Sequence, residues 1–365
     1  MDISTISQRV KQAARDAGFE LSGIAAVDAA DFPELARFPE WVAKGHAGEM
    51  EYLKTRDEQG RLKRASLQHA APWARSVVVC GKSYDSPYPL STESSDSTRG
   101  WISRYAWTPE DYHESVLRRL RAVEAKLAAA AAGASPDPLR TWCYVDTGPV
   151  VERVYARYAG VGWIGKNTCI INQQRGSFYF LGVILSSLAL HADLPVADRC
   201  GSCTRCIDAC PTQAIVAPGE LDARRCIAYL TIEKRGAIDE EFRDGIGRHV
   251  FGCDICQDVC PWNLKARRQS PPPASPEMRD DLVNPALEWL AGLDEAGFRE
   301  AFRRSPVKRA KFAGLRRNLA IAMGNSGDAS FVPRLEEWSR DGDAHVAEHA
   351  AWALRKLQAK SAPTD

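Results

Sequence analysis

At 365 residues the chain has room for two or three domains, and 45% hydrophobic with 26% charged residues is the composition of an ordinary globular protein. A formal net charge of +1 excludes a uniformly basic or acidic protein, so any nucleic-acid face must be a local patch. Eleven cysteines with no secretory leader point to metal rather than to disulfides.

The first predicted element is a helix. Ile3, Ile6, Val10 and Ala14 recur at helical spacing among charges, unlike the continuous apolar core of a signal peptide. Up to about residue 195, helical stretches alternate with the short apolar runs "SVVVCGKSY", "TWCYVDTG" and "SFYFLGVILSSLAL". These read as strands among helices, hence an α/β or α+β region over 1–195. The longest apolar run, 178–190, is too short to span a bilayer and reads as a buried strand. No membrane partner is therefore expected, and the location expected is cytoplasmic. Residues 86–100, "SPYPLSTESSDSTRG", are polar and rich in Ser and Pro, which predicts a mobile loop.

Asp146 closes the second strand, before a Gly-Pro turn and a helix expected to start near Pro149. Two roles are open to it: the N-cap of that helix, or an acid offered from a strand end. The turn at 162–165, followed by Lys166 and Asn167, reads by itself as a tight turn with a solvated lysine. The Asp146 turn and the six residues "GWIGKN" are not themselves a G-x-G-x-x-G or a P-loop, so no nicotinamide or ATP is expected from them.

"CGSCTRCIDACP", residues 200–211, is the C-x2-C-x2-C-x3-C-P run in which three cysteines hold one iron–sulfur cubane and the fourth ligates another. The second run follows as "CDICQDVCP", and Cys226 lies between the two. Crossing assigns Cys200, Cys203, Cys206 and Cys260 to one [4Fe-4S] cluster, and Cys210, Cys226, Cys253 and Cys256 to the other. Paired C-x2-C spacings also suit tetrahedral zinc, but the x3-C-P ending of both runs favours iron. The remaining Cys80, Cys143 and Cys169 read as small buried hydrophobes. A ferredoxin-like domain over 196–265 results.

The segment "RRQSPPPASPEMRDD" is a Pro-rich connector. Beyond it, over 280–365, apolar residues Val346, Ala350, Ala353, Leu354 and Leu357 suit a HEAT-like helical repeat, which must pack on its neighbours to bury its face. Between Arg299 and Arg317 lie Arg303, Arg304, Lys308, Arg309, Lys311 and Arg316 against the single acid Glu300. A local basic block is what RNA phosphates require, although an ordinary charged helix face is the alternative.

Taken together, "ISRYAWTPEDYH", "VDTGPVVERVYARYAGVGWIGKNTC", the two cysteine runs with Cys226 and the helical tail resemble the epoxyqueuosine reductase family over essentially the whole chain. The resemblance implies an α+β protein whose N-terminal α/β domain binds cobalamin and is similar in fold to the reductive dehalogenases. It implies reduction of epoxyqueuosine to queuosine at the wobble position of tRNA, the last step of queuosine biosynthesis. Asp146 matches the proposed proton donor, and Arg61, Tyr105, Lys166, Asn167 and Ile170 fall near the corrin. Arg61 by itself reads as part of a solvated helix face. No Asp-x-His-x-x-Gly occurs, so base-off cobalamin with no histidine ligand is expected. The partners implied are a tRNA anticodon stem-loop, held by Lys308, Arg309, Lys311, Arg316 and Arg317, and an external donor of flavodoxin or ferredoxin type. The protein is expected to act as a monomer. An iron–sulfur carrier without a substrate would share the cysteine runs but has no use for the basic block. A reductive dehalogenase would carry an export leader.

Overall fold

The computed structural model describes residues 2–27, 32–270 and 278–361; part of the Pro-rich connector, 271–277, lies outside them. Four strands form the main sheet: β1 (Leu21–Ala26), β2 (Ser76–Ser83), β3 (Thr141–Tyr144) and β4 (Tyr179–Ser186), in the order β1-β2-β4-β3. All three pairings are antiparallel, with Ile24 opposite Val78, Cys80 opposite Gly182 and Tyr144 opposite Val183. The N-terminal region is therefore α+β, and the α/β expectation for it is corrected. Hydrophobic runs alone do not reveal strand direction.

Both faces of this sheet are covered. Val78, Cys80 and Ile184 pack against α1 (Ile3–Asp16) and α2 (Tyr112–Ala131), while Val77, Val79, Val183 and Leu185 pack against α3 (Glu152–Tyr158). Alternate residues of one strand feed opposite cores, so β2 and β4 read as continuous apolar runs rather than as alternating ones. The crossing of α2 is close: a Cβ at Gly182 would lie 2.7 Å from Leu120 Cδ1.

The segment 86–100 is pinned, contrary to the mobile loop expected. Ser91 donates from its amide and its hydroxyl to Asp258, and the fully buried Arg104 donates to Ser86, Tyr88 and Pro89.

The C-terminal helices α4 (Phe312–Ser326) and α5 (Ala344–Ser361) pack on one another, with Val332–Trp338 between them. Val346, Ala350, Ala353 and Leu357 are buried, and Leu354 is half-buried against the same core. Their core is continuous with Trp101–Trp107, with 223–251 of the cysteine region and with Leu282–Phe302. His349 fixes α5 there, its Nε2 accepting from the Ile238 amide at 3.1 Å. Among the described residues no helix is long and apolar enough to cross a membrane.

Candidate active site and cluster ligands

Each cysteine run folds as a loop, one helical turn (Arg205–Asp208 or Ile255–Asp258) and a cysteine before proline. Cys200, Cys203, Cys206 and Cys260 line one cavity of about 260 Å³ together with Lys166, Asn167 and Trp262. Cys260 thus lies beside the cysteines of the first run. Burial, and then the neighbouring Cys260 and Cys200, push the Cys206 thiol up to about 11. Burial, and then Cys226, push Cys253 well above the ordinary thiol range, and burial raises Cys226 beside Cys210. Such thiols release their protons when metal binds. Among the described residues no three His, Cys, Asp or Glu side chains converge on a point where one ion fits. Cys169, read from sequence as a small hydrophobe, hydrogen-bonds Cys256, an exchange that lowers its own pKa and raises that of Cys256. It lies outside the cysteine runs, so spacing did not mark it.

Asp146 follows β3 in a turn where Thr147 N–H bonds the Val145 carbonyl at 2.7 Å. Its φ of 58° is the left-handed conformation that Asp tolerates better than most residues. It does not cap a helix: α3 begins at Glu152, with Val151 as an N-cap that makes no side-chain bond. The carboxylate is 57% exposed. Its Oδ2 accepts from the Tyr112 hydroxyl at 2.9 Å and lies 3.9 Å from His113 Nε2. Tyr112 is fixed in turn, stacked on Phe180 at 4.4 Å and edge-on to Tyr105. Burial, then Asp146, drive its hydroxyl far above the ordinary range, so it stays a donor.

Two cavities meet beside this carboxylate. One, of about 860 Å³, is lined by Asp146–Pro149, Tyr144, Trp142, Tyr52, Thr55–Gln59, Lys63 and Arg64. The other, of about 630 Å³, is lined by Tyr105, Tyr112, His113, Arg299, Arg303, Lys308 and Lys311. Arg309 borders both, paired with Glu233 at 2.7 Å and lying over the Tyr52 ring. Behind the Asp146 turn, Glu152 Oε1 is buried without a partner, and burial, then Asp146, push that carboxyl up to about 7.

Of the residues expected near a corrin, only Asp146 lines the larger cavity. Tyr105 lines the smaller one. Lys166 donates to the Gly201 carbonyl, and Asn167 to that of Cys256, so both brace the cysteine loops. Ile170 is buried in the core under β4. Arg61 is turned to Asp57 at 2.8 Å and does not line the cavity. In the basic block, Lys308, Arg309 and Lys311 reach the smaller cavity. Arg316 is paired with Asp341 at 2.6 Å. Arg317 is corrected outright: it is 1% exposed, and its guanidinium donates to the carbonyls of Leu230, Lys234 and Gly236. No phosphate can reach it.

Residues 199–263 match the family described as 4Fe-4S double cluster binding domain, and residues 64–147 match Epoxyqueuosine reductase QueG, DUF1730. The chain is 39% identical over 356 residues to the epoxyqueuosine reductase of Xanthomonas campestris, covering 97% of this chain and 96% of that one. It is 41% identical over 298 residues to the Synechocystis enzyme of that name, covering 81% and 98%. Its fold is similar, with TM-score 0.82 and 30% identity over 98% of this chain and 91% of the other, to a crystal structure of epoxyqueuosine reductase with an epoxyqueuosine-modified tRNA-Tyr stem loop. It is similar, with TM-score 0.79 and 29% identity over the same shares, to the Bacillus subtilis epoxyqueuosine reductase whose catalytic aspartate loop is swung out of the active site.

Proposed function

The chain belongs to the epoxyqueuosine reductase family, and from that premise we propose that it reduces epoxyqueuosine to queuosine at the wobble position of tRNA. Converting an epoxide to an alkene with loss of its oxygen as water takes two electrons and two protons. The double-cluster domain carries the electrons, delivered by an external donor of flavodoxin or ferredoxin type. We assign Cys200, Cys203, Cys206 and Cys260 to one [4Fe-4S] cluster and Cys210, Cys226, Cys253 and Cys256 to the other.

A cobalamin would be held in the larger cavity. Tyr52, Trp142 and Tyr144 offer aromatic walls, while Thr55, Asp57, Gln59 and Lys63 offer donors and acceptors to amide groups at a corrin edge. Bound there, it supplies a strongly reducing cobalt centre. The chain's own residues position the substrate and move protons. Lys308, Arg309 and Lys311 present positive charge at the mouth of the smaller cavity, where an RNA backbone is neutralised. A wobble nucleotide splayed from its loop then reaches Asp146. Tyr112 holds Asp146 Oδ2, and Oδ1 has no protein partner among the described residues, so it is the oxygen from which a proton passes to the departing epoxide oxygen. The C-terminal helices act as a HEAT-like support for the tRNA face, and the protein works as a cytoplasmic monomer.

The observation that carries this reading is the position of Asp146: free of any helix cap, exposed, and set between the larger cavity, with its Tyr52, Trp142 and Tyr144 rings, and the basic mouth of the smaller one. Asp146→Asn and Asp146→Ser test it. As general acid the carboxyl contributes roughly 10²–10⁴-fold in rate. Both variants should keep clusters, cobalamin and tRNA binding and fold stability, yet lose conversion by about that factor. Near wild-type turnover in either would assign the proton to another group.

A further inference from the structure

We propose that His113 delivers the second proton of each turnover by relaying it through Asp146, with Asp111 holding the imidazole in place. This rests on Asp146 being the proton donor. The stoichiometry creates the need: the oxygen leaves as water and takes two protons, while a carboxylic acid holds one at a time.

His113 is the imidazole placed to reload it. Asp111 is the N-cap of α2, and its Oδ1 accepts both the His113 backbone N–H at 3.2 Å and the ring Nδ1 at 2.6 Å. Fixing Nδ1–H on a carboxylate leaves Nε2 as the nitrogen that takes and gives the proton. That atom lies 3.9 Å from Asp146 Oδ2. Catalytic hydrogen bonds are commonly long before substrate closes the site. The ring cannot swing freely, since it stacks on Tyr112 at 4.0 Å. It is only 27% exposed, yet it lines the 630 Å³ cavity, which opens to solvent and supplies protons.

The surrounding charges support a stable partner beneath the ring. Lys308 Nζ lies 3.2 Å from Asp111 Oδ2, and Arg303, Arg309, Lys311 and Glu295 line the same cavity. Burial alone would push the Asp111 carboxyl up, but its bonds with His113 and then Lys308 outweigh that and lower it to about 2. Asp111 therefore remains a carboxylate. The step balances: Nε2–H passes its proton to the Asp146 carboxylate, and Nε2 recovers one from water in the cavity. Asp146 passes its proton to the oxygen that leaves as water, and the electrons come from the clusters and their donor.

The test uses the full chain with clusters, cobalamin and epoxyqueuosine-tRNA under anaerobic conditions. His113→Ala should lower turnover about 10²-fold, more steeply as pH rises, with cluster content and tRNA binding unchanged. Added imidazole should restore part of the loss, judged against wild type given the same imidazole. His113→Gln, which fills the space, should show the same loss and pH trend. Asp146→Asn is run beside them. If it retains turnover, the reading of Asp146 fails whatever His113 does. If Asp146→Asn is inactive while either His113 variant matches wild type across pH, or if imidazole rescues nothing, the relay alone is overturned.

Discussion

Asp146 and Arg317 show what a residue's chemistry reveals and what only its surroundings can. An acid at a strand end was legible, but its two roles were not separable, because the cap role depended on a helix starting near Pro149. The helix starts at Glu152 instead, and the acid is left free at a left-handed turn. Arg317 failed for the opposite reason: a block of basic residues records charge and not burial. Its donors satisfy three backbone carbonyls that have no other purpose for a cation there. Removing it takes the donor from the buried Leu230 carbonyl and from the half-buried carbonyls of Lys234 and Gly236, and a buried acceptor left unpaired costs about 1–3 kcal/mol. Arg317→Met should therefore lower unfolding stability by about 3 kcal/mol or more, and leave tRNA affinity of the folded protein unchanged. Weakened tRNA binding with unaltered stability would return Arg317 to the RNA face.

At the scale of elements, the cysteine loops were the most legible part of the chain, since cubane ligation dictates spacing as strictly as any chemistry does. The antiparallel order of the sheet was not, because a strand buried on both faces looks the same in either direction. The pinned segment 86–100 was hidden too, since Asp258 lies far along the chain and nothing in the sequence marks the nearby Arg104 as buried. The crossing of ligands has a measurable consequence. Cys206→Ser and Cys260→Ser should each remove one cluster, about four of eight irons, and the double variant should lose no more. Cys206→Ser with Cys210→Ser should lose both. Loss of both clusters in Cys206→Ser/Cys260→Ser would refute the crossing. The clamp on α5 is pH-sensitive in a defined direction. Burial, then Arg243, lower His349 from 6.5 to about 4. Between those values the unfolded chain binds more protons, so stability is full above pH 6.5 and falls as pH drops towards 4, by up to about 1.4 kcal/mol per unit. His349→Gln should flatten that part of the denaturation profile; an unchanged slope would place its origin elsewhere.

Across the whole molecule, one continuous core ties the C-terminal helices to the cysteine region and to Trp101–Trp107, next to Tyr105 at the site. Tyr105, Cys226, Cys253 and the residues beneath the basic mouth are thereby held on one framework, and no single segment of sequence displays that convergence. The residues at the mouth come from 299–311, those at the acid from 112–113 and 146, and the thiols from 200–260. The most direct measurement is nucleoside mass analysis of epoxyqueuosine-tRNA after anaerobic incubation with the protein, cobalamin and a low-potential reductant. The account predicts loss of one oxygen from the modified nucleoside, giving queuosine, with no conversion when the clusters are removed or cobalamin is withheld. An unchanged nucleoside with both clusters intact and cobalamin bound, or full conversion without either cofactor, would contradict it.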